Sequence, residues 1–90
     1  MDIKFEKSFL YDIEKIKEKK IKKRIELLIT EVRKCSNFRE IKSVKKLAGY
    51  KYYYRIRIGS YRVGIKYLDE SESIIFIRCK HRKDIYKHFP

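Results

Sequence analysis

The chain has little of what disulfide-rich, membrane-spanning or multidomain proteins require. It holds 90 residues, with no Trp, one Pro, three Gly and two Cys. A chain of this length predicts one small domain over residues 1–90. Cys35 and Cys79 are too few for a disulfide framework. Each continues a pattern of apolar residues, Cys35 in a helical stripe and Cys79 in a strand, which is typical of reduced core thiols.

Long hydrophobic runs are also absent from the sequence. No apolar stretch reaches the length of about 18 residues that a membrane helix needs. The charged start at Asp2 and Lys4 is unlike a secretory signal. We therefore expect a cytoplasmic protein that makes no contact with a membrane.

Acidic residues are scarce relative to basic ones. The chain carries 25 Lys and Arg against 12 Asp and Glu, a formal net charge of +13. Residues 1–41 hold 12 basic and 8 acidic side chains, whereas residues 42–90 hold 13 and 4. Such an excess favours a nucleic acid or an acidic protein as partner, bound through the second half of the chain. A lysine-rich proteome is the alternative explanation.

The first half predicts a short strand over residues 3–5 and two amphipathic helices. Apolar residues recur at helical spacing in two stripes, and a step of five between Ile16 and Ile21 breaks their phase. This break predicts two helices that meet at a bend, in a helical hairpin.

Polar residues near the helix ends suggest how the helices begin and end. We expect Ser8 to cap the first helix, with Asp12 near its positive end. Asn37 is expected to adopt a left-handed cap at the end of the second helix.

From Val44 onward the apolar period changes to two, which predicts strands. Gly59-Ser60 forms a two-residue hairpin turn of the kind that places Gly first. Residues 74–79 make a further strand, and residues 83–89 a short helical turn or tail. The predicted fold class is α+β, with order β-α-α-β-β-β-β. It is a small twisted antiparallel β-sheet with the N-terminal helical hairpin packed on one face.

The hairpin turn fixes which side chains share a face of the sheet. One face is apolar, and the other carries Tyr53, Arg55, Arg57, Arg62 and Lys66. Arg57 lies opposite Arg62, with Arg55 diagonal to them and no acid in either strand, an arrangement that costs free energy. It fits a phosphodiester bound by forked donors. A solvated basic face is the alternative.

Gly64 lies opposite Arg55 in the same register. A missing side chain at this position predicts either space for an approaching substrate or a bulge in the strand.

The closing segment is rich in groups that bind phosphate or exchange protons. Lys80, Arg82 and Lys83 surround His81, which offers a proton donor or acceptor, although a lone His is more often a hydrogen-bonded surface group. Tyr86 adds a phenolic hydroxyl and a ring on which bases stack. The carboxylates lie away from the basic face and the Cys and His spacing does not suit zinc, so we expect no metal and no cofactor.

Three segments together resemble a known family: residues 46–50, 53–63 and 81–86. Their order and spacing are similar to the RelE/ParE toxin superfamily, and look closest to RelE-type mRNA interferases of prokaryotic toxin–antitoxin pairs. The resemblance implies a metal-independent endoribonuclease that cleaves mRNA in the ribosomal A site by attack of the 2′-hydroxyl on the adjacent phosphate. It implies an acidic RelB-like antitoxin, mRNA and the 70S-type ribosome as partners, and a toxin that is a monomer alone or a heteromer with antitoxin.

The resemblance also implies roles for individual residues. The basic residue that ends the last strand falls on Lys80 or Arg82. The best-known RelE has lysines where this chain has Arg55 and Arg57, and a guanidinium is not a proton acceptor at neutral pH. Proton transfer then falls to Tyr86 or His81. The expected catalytic residues are Arg55, Arg57, Arg62, His81, Arg82 and Tyr86, and the expected substrate-binding residues are Tyr53, Lys66, Lys80 and Lys83.

Two other functions remain open from the sequence. ParE-type toxins share the fold and inhibit DNA gyrase without cutting RNA, and fold does not determine function. An inactive remnant that only binds RNA is the third interpretation.

Overall fold

The chain folds into one mixed sheet with helices on one face and a short C-terminal helix on the other. A computed structural model describes all 90 residues. None of its helices is long and apolar enough to cross a membrane. In chain order the elements are β1 (Asp2–Phe5), α1 (Lys7–Lys15), α2 (Lys19–Lys34), a 3₁₀ turn (Phe38–Glu40), β2 (Val44–Lys46), β3 (Tyr53–Ile58), β4 (Tyr61–Leu68), β5 (Ser73–His81) and α3 (Ile85–His88).

The sheet has five strands in the order β1-β5-β4-β3-β2. This confirms the α+β class and the predicted element order, and all six predicted pairs between β3 and β4 are present. The sheet differs from the antiparallel expectation in one pair, because β1 runs parallel to β5. These two strands are far apart in the chain, so no hairpin turn dictates their relative direction.

Between the helices and the sheet lies the main hydrophobic core. The apolar stripe of α2 packs onto the sheet, which contributes every second residue of β3 and β4. The contributing side chains are Ile21, Ile25, Leu28 and Val32 from α2 and Ile56, Ile58, Val63, Ile65, Tyr67, Ile74, Phe76 and Cys79 from the sheet. The predicted core face of the hairpin is confirmed.

Both cysteines are free. Cys79 lies in the core, and its burial raises the pKa of its thiol to about 12.

Both predicted helix caps are wrong. Glu6 precedes α1 and makes no capping bond with its side chain, while the Ser8 hydroxyl donates to the carbonyl of Ile77 at 2.6 Å. Asn37 has an extended backbone with φ −147° and accepts a bond from the N–H of Arg39 at 3.0 Å, so it caps the 3₁₀ turn. The Ser8 side chain therefore bonds to β5 and the Asn37 side chain to the 3₁₀ turn, so neither caps α1 or α2.

Helix α1 replaces a strand along part of the β5 edge. The β1–β5 pairing ends at Phe76, which leaves the outer edge of the following β5 residues without a strand partner. The Ser8 hydroxyl binds the Ile77 carbonyl there, and the carboxylate of Asp12 accepts the N–H of Cys79 at 2.9 Å. Since buried backbone groups need partners, these two side chains make it favourable for α1 to cover the edge.

Asp12 also pairs with two cations and so has a different role from the one predicted. It lies in the middle of α1 and is 2% exposed. Arg78 donates to it through two nitrogens at 2.9 and 3.1 Å, and the Lys80 ammonium lies 3.2 Å from its Oδ1. Arg78 and Lys80 therefore bend around the sheet edge towards α1.

The C-terminal segment closes over Gly64. A Cβ built on Gly64 would lie 2.7 Å from Cγ of Phe89, so the ring of Phe89 occupies the position of the missing side chain. Phe89 is 2% exposed and forms a small second core with Leu47 and Ile85. The expectation that Gly64 leaves space for substrate is wrong for this reason. The β4–β5 register shifts between Gly64 and Ile65, but the extra residue is Ile77 of β5, so the bulge lies in the strand beside Gly64 and not at the glycine.

Removing the Asp12 carboxylate should strongly destabilise the fold. The Asp12→Ala variant leaves Arg78, Lys80 and the Cys79 N–H without their acceptor, which we expect to lower the free energy of unfolding by about 3 kcal/mol. Glu14→Ala on the exposed side of α1 is the matched control, with a change within about 0.5 kcal/mol. Urea denaturation measures both, and equal effects of the two substitutions would contradict this role.

Adding a methyl group at Gly64 should displace Phe89. We expect Gly64→Ala to lower the free energy of unfolding by about 1–3 kcal/mol, because the added carbon overlaps the ring. In a Phe89→Ala background the same substitution should cost much less, since the overlapping ring is gone. A double-mutant cycle by urea denaturation measures this coupling, and additive effects would show that the two residues are independent.

Candidate functional site

The face of the sheet opposite α1 and α2 is covered at one end and open at the other. The C-terminal segment covers the end that holds Gly64 and Tyr53. The uncovered end holds four arginines, here called the basic cluster: Arg55, Arg57, Arg62 and Arg82.

Hairpin geometry brings three members of the basic cluster together. Arg55 and Arg57 lie two residues apart on β3, and so point to the same face. Arg62 pairs directly with Arg57 across the ladder. Arg82 joins them because its backbone N–H donates to the carbonyl of Ser60 at 2.7 Å, which holds the end of β5 against the hairpin turn.

Arg62 is the most constrained member of the basic cluster. Its Nη1 donates to the carbonyls of Gly59 at 2.9 Å and Tyr61 at 2.8 Å. Burial is the main cause that lowers the pKa of Arg62, and Arg57, Arg55 and Arg82 lower it further. Arg55, Arg57 and Arg82 thus lie close enough to Arg62 for their charges to repel its guanidinium.

No carboxylate pairs with the basic cluster. The ion pairs of the structure are Lys4–Asp2, Arg78–Asp12, Lys80–Asp12 and Lys87–Asp84. The repulsion within the cluster is therefore not offset by acids of the same chain. Forked guanidinium donors bind phosphate oxygens in pairs, so an incoming phosphodiester would both satisfy the donors and reduce the repulsion.

Tyr86 lies at the rim of the basic cluster. Its side chain is 59% exposed on α3, and its proximity raises the pKa of Arg62 against the effect of the arginines. It lines one cavity together with Arg55. The neighbouring Ile85 is fully buried and Phe89 nearly so, which fixes the short helix that carries Tyr86.

His81 lies on the other side of the sheet. It pairs with Tyr61 across the ladder, and the two rings meet edge to face at 5.6 Å. The Tyr61 ring packs on the helix side, where its hydroxyl donates to Glu18 at 3.2 Å. The Nδ1 atom of His81 accepts the N–H of Lys83 at 3.2 Å. This geometry favours Tyr86 over His81 as the group that meets a bound phosphate.

The predicted substrate-binding residues lie at different places. Lys80 is paired with Asp12, and Lys83 is exposed beyond the end of β5. The ammonium of Lys66 lies 5.7 Å from the ring centroid of Tyr53, at the covered end of the face. The Tyr53 ring itself packs edge-on against Phe89 at 5.5 Å.

Three residues that shape this face were not predicted from the sequence. Asp12 holds two cations away from the cluster, Phe89 anchors α3, and Tyr50 lines the cavity that Tyr86 and Arg55 share. Of these three, only Phe89 has a signal in the sequence. It packs on Gly64, and a glycine inside a strand is unusual. The chain contains no group of three or more His, Cys, Asp or Glu side chains placed to hold a metal ion.

Comparison with known structures shows the same fold in toxin complexes. The RelB–RelE antitoxin–toxin complex from Methanococcus jannaschii contains a chain 43% identical to this one, with a TM-score of 0.80 and coverage of 97% of this chain and 99% of that chain. The archaeal RelE–RelB complex from Pyrococcus horikoshii OT3 matches at 23% identity and a TM-score of 0.72, over 93% and 97% of the two chains, and supports the fold alone.

Sequence comparison gives the family. Toxin RelE3 of Methanocaldococcus jannaschii is 42% identical to this chain over 91 residues, which covers all of both proteins. The family described as the ParE toxin of type II toxin–antitoxin system, parDE, matches residues 3–86. The chain therefore belongs to the ParE toxin family of type II toxin–antitoxin systems, within the RelE/ParE superfamily that its sequence resembles.

Proposed function

We propose that this toxin is an endoribonuclease that cleaves mRNA in the ribosomal A site and so inhibits translation in the cytoplasm. The observation that carries the proposal is the basic cluster, in which four guanidiniums share one open face without a carboxylate partner. The sequence identity of 42% to toxin RelE3 and the resemblance to RelE-type interferases support it.

The proposed reaction is an internal transesterification. The 2′-hydroxyl oxygen attacks the adjacent phosphorus, the bond from phosphorus to the 5′-oxygen breaks, and the products are a 2′,3′-cyclic phosphate and a 5′-hydroxyl. Negative charge grows on the phosphoryl oxygens in the transition state. Arg62, held by two carbonyls, together with Arg55 and Arg57, is placed to stabilise that charge without reorganisation.

Tyr86 is the group we assign to proton exchange. Guanidiniums stay protonated at neutral pH, so the arginines do not take part in proton transfer. The Tyr86 hydroxyl is exposed beside Arg62 and can pass a proton to the departing 5′-oxygen, while the proton of the 2′-hydroxyl goes to water. His81 has no part in this proposal, since it lies against Tyr61.

The partner we propose for regulation is an antitoxin of acidic character. The structure of the Methanococcus relative is that of a RelB–RelE antitoxin–toxin complex. An excess of 13 positive charges on 90 residues favours such a partner and speeds its association. A carboxylate-bearing segment that reaches the basic cluster would compete directly with RNA phosphate.

Gyrase inhibition is the second candidate function. The matched family is described by its ParE members, and the resemblance implies that ParE-type toxins act on DNA gyrase. A gyrase-binding surface has no evident need for a phosphate-sized cationic cluster beside an exposed tyrosine, which is why we rank it second.

The nuclease proposal predicts large losses of activity from two substitutions. Arg62→Ala should lower the rate of mRNA cleavage on translating ribosomes about 10²- to 10³-fold, because it removes a preorganised donor. Tyr86→Phe keeps the ring and removes the hydroxyl, and should cost at least about 10²-fold. Primer extension on the message maps and quantifies the cuts.

The matched control is Arg33→Ala, which removes the same charge from the exposed side of α2 and should leave cleavage unchanged. If the wild-type toxin leaves the message intact but blocks supercoiling by gyrase, the second candidate is correct. RNA binding without either effect would indicate an inactive remnant.

A further inference from the structure

A cavity of about 410 Å³ opens beside the basic cluster, between the loop that joins β2 to β3 and the C-terminal segment. Its volume falls within the range of about 300–1,000 Å³ that is usual for small-molecule sites. Arg55 lines this groove and belongs to the basic cluster, so the groove and the cluster are continuous. A ligand that reaches from one to the other would hold a phosphate at one end.

Two exposed tyrosines line the groove, one from each wall. Tyr50 on the loop is 47% exposed and Tyr86 on α3 is 59% exposed. Cations from β2 and β3 lie beside them, and no Asp or Glu side chain lines the groove: its charged side chains are Lys45, Lys46 and Arg55. Exposed aromatic rings among cations are the usual means by which proteins bind unpaired nucleotides.

Packing behind the groove holds its two walls in place. The Tyr50 ring meets the Tyr53 ring edge to face at 5.9 Å, and Tyr53 meets Phe89 in the same way at 5.5 Å. The N–H of Tyr50 donates to the carbonyl of Leu47 at 3.2 Å, in a turn where Gly49 has φ +83°. Tyr53, predicted to bind substrate, thus supports Tyr50 from behind.

We propose that this groove is a subsite for an unpaired nucleotide next to the phosphate held by the basic cluster, with Tyr50 as the residue that stacks on its base. The inference rests on the proposed function, because it assumes that RNA is the ligand of the cluster. An acidic protein segment would pair with these cations equally well. Such a segment would not need two exposed aromatic rings beside the basic cluster, whereas a nucleotide base stacks on such rings.

The test measures binding of a short oligoribonucleotide that carries a 2′-deoxy residue at the cleavage position, which prevents the reaction. We expect Tyr50→Ala to weaken binding about 5- to 150-fold, the range of a lost base–aromatic stack, and Tyr50→Phe to bind like the wild type. Tyr52→Ala is the matched control. Tyr52 is exposed on the same loop but lines a different depression with Asp69 and Glu70, and its loss should change affinity less than about twofold.

A second oligonucleotide series identifies the base itself. An abasic nucleotide is placed in turn on the 5′ and on the 3′ side of the bound phosphate. At one of these positions the wild type and Tyr50→Ala should bind with equal affinity, since no base remains to stack. Unchanged affinity of Tyr50→Ala for the intact oligonucleotide, or a loss that persists with both abasic substrates, would overturn the subsite. So would a loss confined to antitoxin binding.

The outcome separates this inference from the proposed function. If the wild type cleaves mRNA on ribosomes and Tyr50→Ala binds RNA normally, the nuclease proposal stands and the subsite is wrong. If binding depends on Tyr50 but no message is cut, the subsite stands and the nuclease proposal is wrong. If the wild type binds no RNA, both are wrong.

Discussion

The register of the β3–β4 hairpin is the constraint on which the site depends. Side chains alternate between the faces of a strand, so a slip of one residue would move every arginine of β3 and β4 into the core. The turn at Gly59-Ser60, with φ +57° at the glycine, fixes the pairing that places Arg57 against Arg62. The core residues Ile56 and Val63 stabilise that same register from the other face. Burial of apolar side chains thereby offsets the repulsion between the arginines.

A buried carboxylate divides the cations of the last strand into two groups. Arg78 and Lys80 share the open face with Arg62 by register, yet both bind Asp12 at the sheet edge. Arg82 has no such partner and remains with the basic cluster. One acidic residue in α1 therefore decides which cations are free for a ligand, in addition to attaching the helix to the edge.

The parts of the structure that could be predicted are those with local causes. The hairpin register follows from a glycine-first turn and strict alternation, and the core face of α2 follows from steps of three and four residues between Ile21 and Val32. The arginine cluster on one face is a direct consequence of that register. For these elements, residues close together in the chain determine the strand register and the buried face of the helix.

The remaining features arise from contacts between distant parts of the chain. Asp12 and Arg78 are separated by 66 residues, and no periodic pattern links them. Ser8 resembles a helix cap in sequence, but a carbonyl of β5 competes for its hydroxyl. Gly64 indicates that a side chain is missing inside a strand, but no sequence pattern indicates that Phe89, 25 residues later, fills that space. The parallel β1–β5 pair and the groove beside Tyr50 depend on the same long-range packing.

The basic cluster is proposed to hold a phosphate group that the protein itself does not supply. NMR spectra of the ¹⁵N-labelled arginine Nε–H groups test it most directly, during titration of the full chain with a non-cleavable oligoribonucleotide. The signals of Arg55, Arg57, Arg62 and Arg82 are expected to shift together at one affinity, while those of Arg33 on α2 and the Asp12-bound Arg78 stay unchanged. Shifts spread over all the arginines, or confined to those outside the cluster, would contradict it.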